Sequence, residues 1–351
     1  MRFSVHTASR LPYNAIAKDI NSAGSNVMKR ARLPMLAALI FTLTSAPIVR
    51  AQDYPVRTVT IIVPFAVGGT INSVARVLAP KLGQRLGKPF AIENRPGDGT
   101  VSAATALAKA TPDGHTLMQA TSSTLATNVT IYRKLPYDPA NDIVSVALIC
   151  SIPLALVVKS SLPVHSVADL IKLAKERPLS YGSAGQASFT HLTAELFSTA
   201  VGIKMAHITY TGSAPALNAL VAGQIHLMFT DLGPSLPLIR RGKLRALGIT
   251  TAERAAAAPE IPPLAEVGVP GYDAAAWAML IAPAKTPRPI LTRLNAEVNA
   301  VVNTTEIKQQ LVNLGINPIG RESLDELQAF VKTEVVRWGK VLQEAGLAGS
   351  E

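Results

Sequence analysis

One cysteine, Cys150, in 351 residues excludes an intrachain disulfide. It lies in the apolar run VALICSIPLALVV, so a buried, inert thiol is expected there rather than a nucleophile. Aromatic residues make up only 5% of the chain, too few for the stacking platforms that hold single-stranded nucleic acid. Charged residues are only 16%. No HExxH or paired HxxxH spacing occurs among His115, His165, His191, His207 and His226, so no metal site is expected. There is no GxSxG elbow, no Lys-Ser/Thr P-loop ending and no GxGxxG.

What is present is a 48% hydrophobic chain, long enough for two domains of ordinary size. Its formal charge of +11 misleads. From Met28 the sequence MKRARLPMLAALIFTLTSAPIVRAQ has a basic start, a short apolar stretch and a small-residue exit, with Val49 and Ala51 at −3 and −1 of a cut before Gln52. That is the layout of a secretory signal, and the apolar run is short for a membrane span. Residues 1–51 are therefore expected to be a signal peptide behind a misassigned start, with Met28 the true first residue. They hold seven of the 34 Lys/Arg and one of the 23 Asp/Glu, so the exported remainder carries a net charge of about +5. A mildly basic exported protein suits small anions and is no nucleic-acid signature.

From Gln52 the pattern alternates between strand and helix. VTIIVPF predicts a buried strand, and INSVARVLAPKLGQRLG an amphipathic helix with Val74, Val77, Leu78 and Leu82 on one face. Pro80 predicts a kink or break within it. KPFAIENRPG, VSAATALAKA and HTLMQAT continue the order, which gives a mainly parallel sheet covered by helices. After a long β-branched stretch, DIVSVALICSIPLALVVKSS, Ser166 caps a helix. A second set then follows: LSYGSAG, THLTAELFSTAVG, KMAHITYTG, SAPALNALVAGQ, IHLMFTD, PSLPLIRRGK and LRALGITT. WAMLIAPAKTP is the last strand, and the final helix opens on a capping box, Ser323 with Glu326. Trp338 is read as core. Two α/β sets imply two lobes about a cleft, and ligands of open α/β sheets bind beyond the carboxyl ends of strands.

Four strand ends carry candidate binding residues. In PFAVGGTINSVAR, Gly68 and Gly69 let backbone approach a ligand. The amides at the start of the next helix favour an anion, and Thr70 and Asn72 add polar side chains. The turn YGSAGQASFTHL is built alike, with Ser183, Ala184, Gly185, Ser188 and Thr190. Thr121, Ser122 and Ser123 follow the strand HTLMQA, and Asp231 ends IHLMFT, placed to accept from a donor group on a ligand. Each of these residues serves equally well as a structural part of its own loop. His191 and Glu195 read as a helix surface or capping pair.

These motifs in this order resemble the Bug or TctC family of extracytoplasmic solute receptors. The matching segments include VPFAVGGTINSVARVLAPKL, ENRPGDGT, ATPDGHTLM, YGSAGQASFTHLTAELF, ITYTGSAPALNALVAGQIHLMF and PPLAEVGVPGYDAAAW, and they cover essentially the whole exported chain. The resemblance implies a type II periplasmic-binding-protein fold, with two α/β lobes joined by two crossing strands and a ligand cleft between them. Lobe 1 is placed at 52–153 plus 276–351 and lobe 2 at 154–275. It further implies a periplasmic monomer that closes over a small organic carboxylate, without cofactor, for a tripartite tricarboxylate transporter or a sensor. Carried over, the first loop is Phe65, Ala66, Val67, Gly68, Gly69, Thr70 and on to Asn72, the second runs Ser183 to Thr190, and Asp231 lies near. Where family members often have PPGG and an aspartate, this chain has AVGG and Asn72; RPGDGT replaces an RPGAGG-like turn. The lost charge at Asn72 bears on ligand identity, not on fold. The rival from another class is an exported hydrolase of carboxylate esters or amides using Ser183 or Ser188 with a histidine.

Overall fold

A computed structural model describes residues 54–350 except Ala187 and Arg321. The expected signal peptide, the expected start at Met28 and the expected cut before Gln52 lie outside the described residues.

The first half of the sequence builds one sheet. Strand β1 (Val59–Val63) pairs in parallel with β2 (Phe90–Asn94) and β3 (Thr116–Thr121). Its residues VTIIV, apolar apart from the half-buried Thr60, do not alternate, as expected for a strand covered by helices on both faces. Helix α1 (Thr70–Leu86) buries Val74, Leu78 and Leu82, and α2 (Val101–Ala108) buries Ala103, Ala104 and Leu107. Pro80 does not break α1, which continues unbroken to Leu86. Buried Leu78, Ala79 and Leu82 on either side of the proline hold the missing hydrogen bond's neighbours in place. A π-turn (Ser123–Thr127) and the short α3 (Asn128–Ile131) follow β3.

Strand β4 (Ile143–Lys159) is 17 residues long and belongs to two sheets. Its first part pairs with β9 (Ala275–Pro283), from Ile143↔Pro283 to Pro153↔Ala275, and β9 pairs with β3. Its second part pairs with β7 (Leu227–Asp231) from Leu154↔Asp231 and with β8 (Leu244–Ile249) from Ala155↔Ile249. The second sheet is completed by β5 (Ser180–Ser183), between β7 and β6 (Ala206–Thr209). The return to the first sheet is the irregular stretch 250–274. It is pinned where β4 changes partner: Thr250 N–H donates to Leu154 O (2.9 Å), the Leu154 amide to Thr250 Oγ1 (3.0 Å) and Ala274 N–H to Thr250 O (2.7 Å).

Helices α4 (Val167–Glu176), α5 (Phe189–Val201), α6 (Ser213–Ala222) and α7 (Leu232–Arg240) accompany the second sheet. The capping serine at 166 is found, with Asp169 completing a box. Helices α8 (Arg288–Val302), α9 (Thr305–Asn313) and α10 (Leu324–Glu344) return to the first sheet, with β10 (Asn317–Pro318) beside Cys150 and Ser151 of β4. The capping box at Ser323 and Glu326 forms as expected. Cys150 is buried, which pushes its thiol up to about 12. Trp338 is core; its indole N–H and that of Trp277 both donate to buried Glu334, at 3.1 and 2.9 Å. Trp338 also meets Phe189, the first residue of α5, edge to face at 5.2 Å.

Backbone touches backbone where α7 meets the turn after α9. A Cβ on Gly233 would lie 2.2 Å from Leu314 O, and Gly315 opposite it has φ +77°. Gly233→Ala must push two backbones apart, so urea unfolding should show a loss of about 1–3 kcal/mol. A control at Gly69, where a Cβ meets only Ala66 O at 3.6 Å, should change stability far less.

Candidate functional site

The glycine turn after β1 is shaped by a relay of amides. Gly68 has φ +91°, a conformation that glycine takes without strain. Its N–H donates to Asn72 Oδ1 (3.2 Å), Asn72 Nδ2 donates to Asn94 Oδ1 (3.2 Å), and Asn94 Nδ2 donates to Phe65 O (2.7 Å). Asn72 is buried and both ends of its amide are committed within the loop. The neutral amide is the species that both accepts from Gly68 and donates to Asn94; an aspartate here would lose the donor. Phe65 is half-buried, whereas Ala66, Val67, Gly68 and Gly69 are exposed. Gly69 is the N-cap of α1 and offers no side chain, so the first amides of the helix are left uncapped. An uncapped helix start behind a bare turn suits an anion.

The turn after β5 is knitted from its own side chains. Ala184 N–H donates to Thr190 Oγ1 (2.9 Å), Gly185 N–H to Ser183 Oγ (3.2 Å), and Ser188 Oγ to Gly185 O (2.7 Å). Ser188 also caps α5. The third stretch holds itself in a similar way, with Thr121 N–H on Thr124 Oγ1 (3.3 Å) and Thr124 on Thr100 Oγ1 (3.0 Å). Thr100, with φ +80°, is a non-glycine residue in the left-handed region. The hydroxyls of Thr121 and Ser122 are buried without a hydrogen-bond partner among the described residues, as is that of Thr230 beside Asp231. Ser123 opens the π-turn.

The two sheets meet at one side-chain bond between these strand ends. Thr70 Oγ1, in the first turn of α1, donates to Asp231 Oδ2 at the end of β7 (2.8 Å). Burial raises the Asp231 carboxyl above the usual range, and the Thr70 bond draws it partly back. The structure thus joins the first loop to Asp231. The hydrogen bonds of the second loop run within itself and to β6. A depression of about 800 Å³ lies elsewhere, between α1 and the edge strand β2, lined by Arg76, Gln84 and Lys88 and reaching Asn72 and Asn94 at one end.

Sequence reasoning missed a ring stack under the second loop. Tyr181 of β5 and His207 of β6 are register partners and stack at 4.8 Å; His191 of α5 lies over His207 at 3.9 Å and 8°. Tyr181 OH donates to Glu195, while His191 Nε2 is 4.0 Å from the same carboxylate. His191 is buried, not on the helix surface. Neither strand shows a clean burial alternation, and only the pairing of β5 with β6 makes Tyr181 and His207 neighbours. Ser183 Oγ and His207 Nε2 are 2.6 Å apart. Ser183 is 0% exposed and its hydroxyl also meets Gly185 O. Glu195 is bonded to Tyr181, and Ser188 meets the His191 amide rather than a ring. Among the described residues no group of three or more His, Cys, Asp or Glu could hold a metal ion, and no helix is long and apolar enough to cross a membrane.

Residues 74–347 match the family model described as tripartite tricarboxylate transporter family receptor. The chain is similar to R. palustris Rpa4515 solved with adipate: 42% identity, TM-score 0.79, 84% of this chain and 99% of that one. It is similar to the periplasmic binding protein BugD, at 28% identity and TM-score 0.76 over 84% and 99% of the two chains. It also resembles MatC from Rhodopseudomonas palustris with bound malate, at 33% identity and TM-score 0.74 over 82% and 100%.

Burial lowers His191 and His207 from 6.5 to about 4; His191 adds to the shift at His207 and Glu195 opposes it. Between these values the unfolded chain binds more protons than the folded one. The stabilisation is therefore present above pH 6.5 and lost as pH falls toward 4. Asp231, raised in the fold, acts in the opposite sense. The urea midpoint should fall between pH 7 and 4.5, and fall less in a His191→Gln/His207→Gln double variant; equal falls would count against the stack as the source.

Proposed function

The chain belongs to the tripartite tricarboxylate transporter receptor family, and from that premise we propose that its two sheet systems are two lobes that capture a small organic carboxylate between them. Lobe 1 is 52–153 with 276–351 and lobe 2 is 154–275, divided where β4 changes partner between Pro153 and Leu154. Receptors of this family are periplasmic solute-binding proteins. Residues 1–51, with a start at Met28, are the export signal in this reading. The protein works as a monomer, hands its ligand to the membrane subunits of a tripartite transporter or to a sensor, and catalyses no reaction.

The observation that carries the reading is the uncapped start of α1 behind the Gly68–Gly69 turn, hydrogen-bonded across to Asp231 of the other sheet. The ligand's carboxylate is held by backbone amides of Phe65 to Asn72 and of Ser183 to Thr190. The unpartnered hydroxyls of Thr121 and Ser122 receive its remaining polar atoms. Side chains in both loops are spent on holding backbone donors in place, so preorganised amides replace a charged clamp. Closure excludes water and strengthens each of those bonds. Adipate in Rpa4515 and malate in MatC support a carboxylate as the ligand class.

A thermal-shift panel of organic acids tests this. A true ligand at a hundredfold excess over Kd adds about 2.7 kcal/mol of stability. With that ligand, Gly69→Val should leave the unliganded melt nearly unchanged, because a Cβ there makes only an ordinary contact with Ala66 O at 3.6 Å, yet weaken binding about tenfold or more. Unchanged affinity by calorimetry would remove the α1 turn from the site.

A further inference from the structure

Asp231 stands at the N-cap of α7, where an aspartate ordinarily accepts from the amides of its own helix. It makes no such bond. Its Oδ2 takes the Thr70 hydroxyl instead, and its Oδ1 accepts from none of the described residues. Among the described residues no cation offsets the carboxylate: burial raises it, and the Thr70 hydroxyl draws it back. A half-buried carboxylate with one hydroxyl partner, at a strand end beside the α1 turn, points to a use in binding.

The position narrows that use. Thr70 is the first residue of α1, so Asp231 sits one side chain away from the amides assigned to the ligand's acid group. A second ionised group of the ligand brought here would face a like charge in a closed site. A bare methylene would leave Oδ1 without a partner. A donor on the carbon next to the ligand's carboxylate satisfies both constraints, because the acid goes to the amides while its neighbour reaches Asp231.

We propose that Asp231 is a specificity-determining residue that selects organic acids carrying a hydroxyl or ammonium on the carbon adjacent to the carboxylate held by the α1 turn. The inference rests on the reading of the cleft as a carboxylate site. Hydroxyl and ammonium share the chemistry Asp231 recognises, and an ammonium also neutralises it.

The test is calorimetry on the exported chain with two matched sets: propionate, lactate and alanine; succinate, malate and aspartate. In at least one set the hydroxy or amino acid should bind about tenfold or more tighter than the plain acid, as expected for a hydrogen bond to a charged group. The tighter of the two identifies the donor. In Asp231→Asn, which keeps the shape and removes the charge, that gap should shrink to about threefold or less, with the amino acid losing most. The melting curve of the variant establishes that it is folded, and the wild-type comparison stands if it is not. Plain acids binding as tightly as their substituted partners in the wild type would overturn the proposal, as would an unchanged gap in the folded variant; the carboxylate reading would survive both. If none of the six acids binds, the carboxylate reading falls and this inference with it.

Discussion

The exchange of hydrogen bonds between Leu154 and Thr250 governs the rest of the molecule. At this point β4 leaves β9 and joins β7 and β8, and the chain's return path is tied to the same spot through Ala274. One continuous strand thus fixes where two sheets meet. Because β1, β3, β5 and β7 follow the registers that β4 and β9 impose, their carboxyl ends are set relative to this junction. The Thr70 to Asp231 bond is a consequence of that placement, spanning 161 residues of sequence. It can form only when the two sheets are brought together at this junction.

Small polar residues around the strand ends have a division of labour. Asn72 and Asn94 hold the first turn; Ser183, Ser188 and Thr190 hold the second; Thr100 and Thr124 hold the third. Each satisfies backbone groups that would otherwise be loose or buried without partners. The contacts these side chains make are therefore structural ones, within their own loops.

The alternation of strand and helix patterns was legible because each element's period is local. So were the caps at Ser166 and Ser323, since a capping box is written within four residues. The inertness of Cys150 followed from its apolar neighbours. Of the kink or break expected at Pro80, the break does not occur: α1 continues through it, with Leu78 and Leu82 buried on either side. The Tyr181, His207 and His191 stack was illegible for a different reason: rings from β5, β6 and α5 become neighbours only through sheet pairing and helix docking. The same holds for the partner of Asp231. Its position at a strand end was readable, but nothing in a linear sequence says that it turns away from its own helix toward Thr70.

The shared carboxylate of Glu334 has an optical corollary. The chain has two tryptophans, and both indoles point their N–H at that one residue. Tryptophan emission from the protein therefore originates in a single neighbourhood, on α10 and β9. The second sheet contributes no such chromophore of its own, but it places Phe189 edge-on against Trp338. The colour of the native protein's fluorescence is in this way a built-in gauge of how the entrance of α5 rests against α10, with no dye attached.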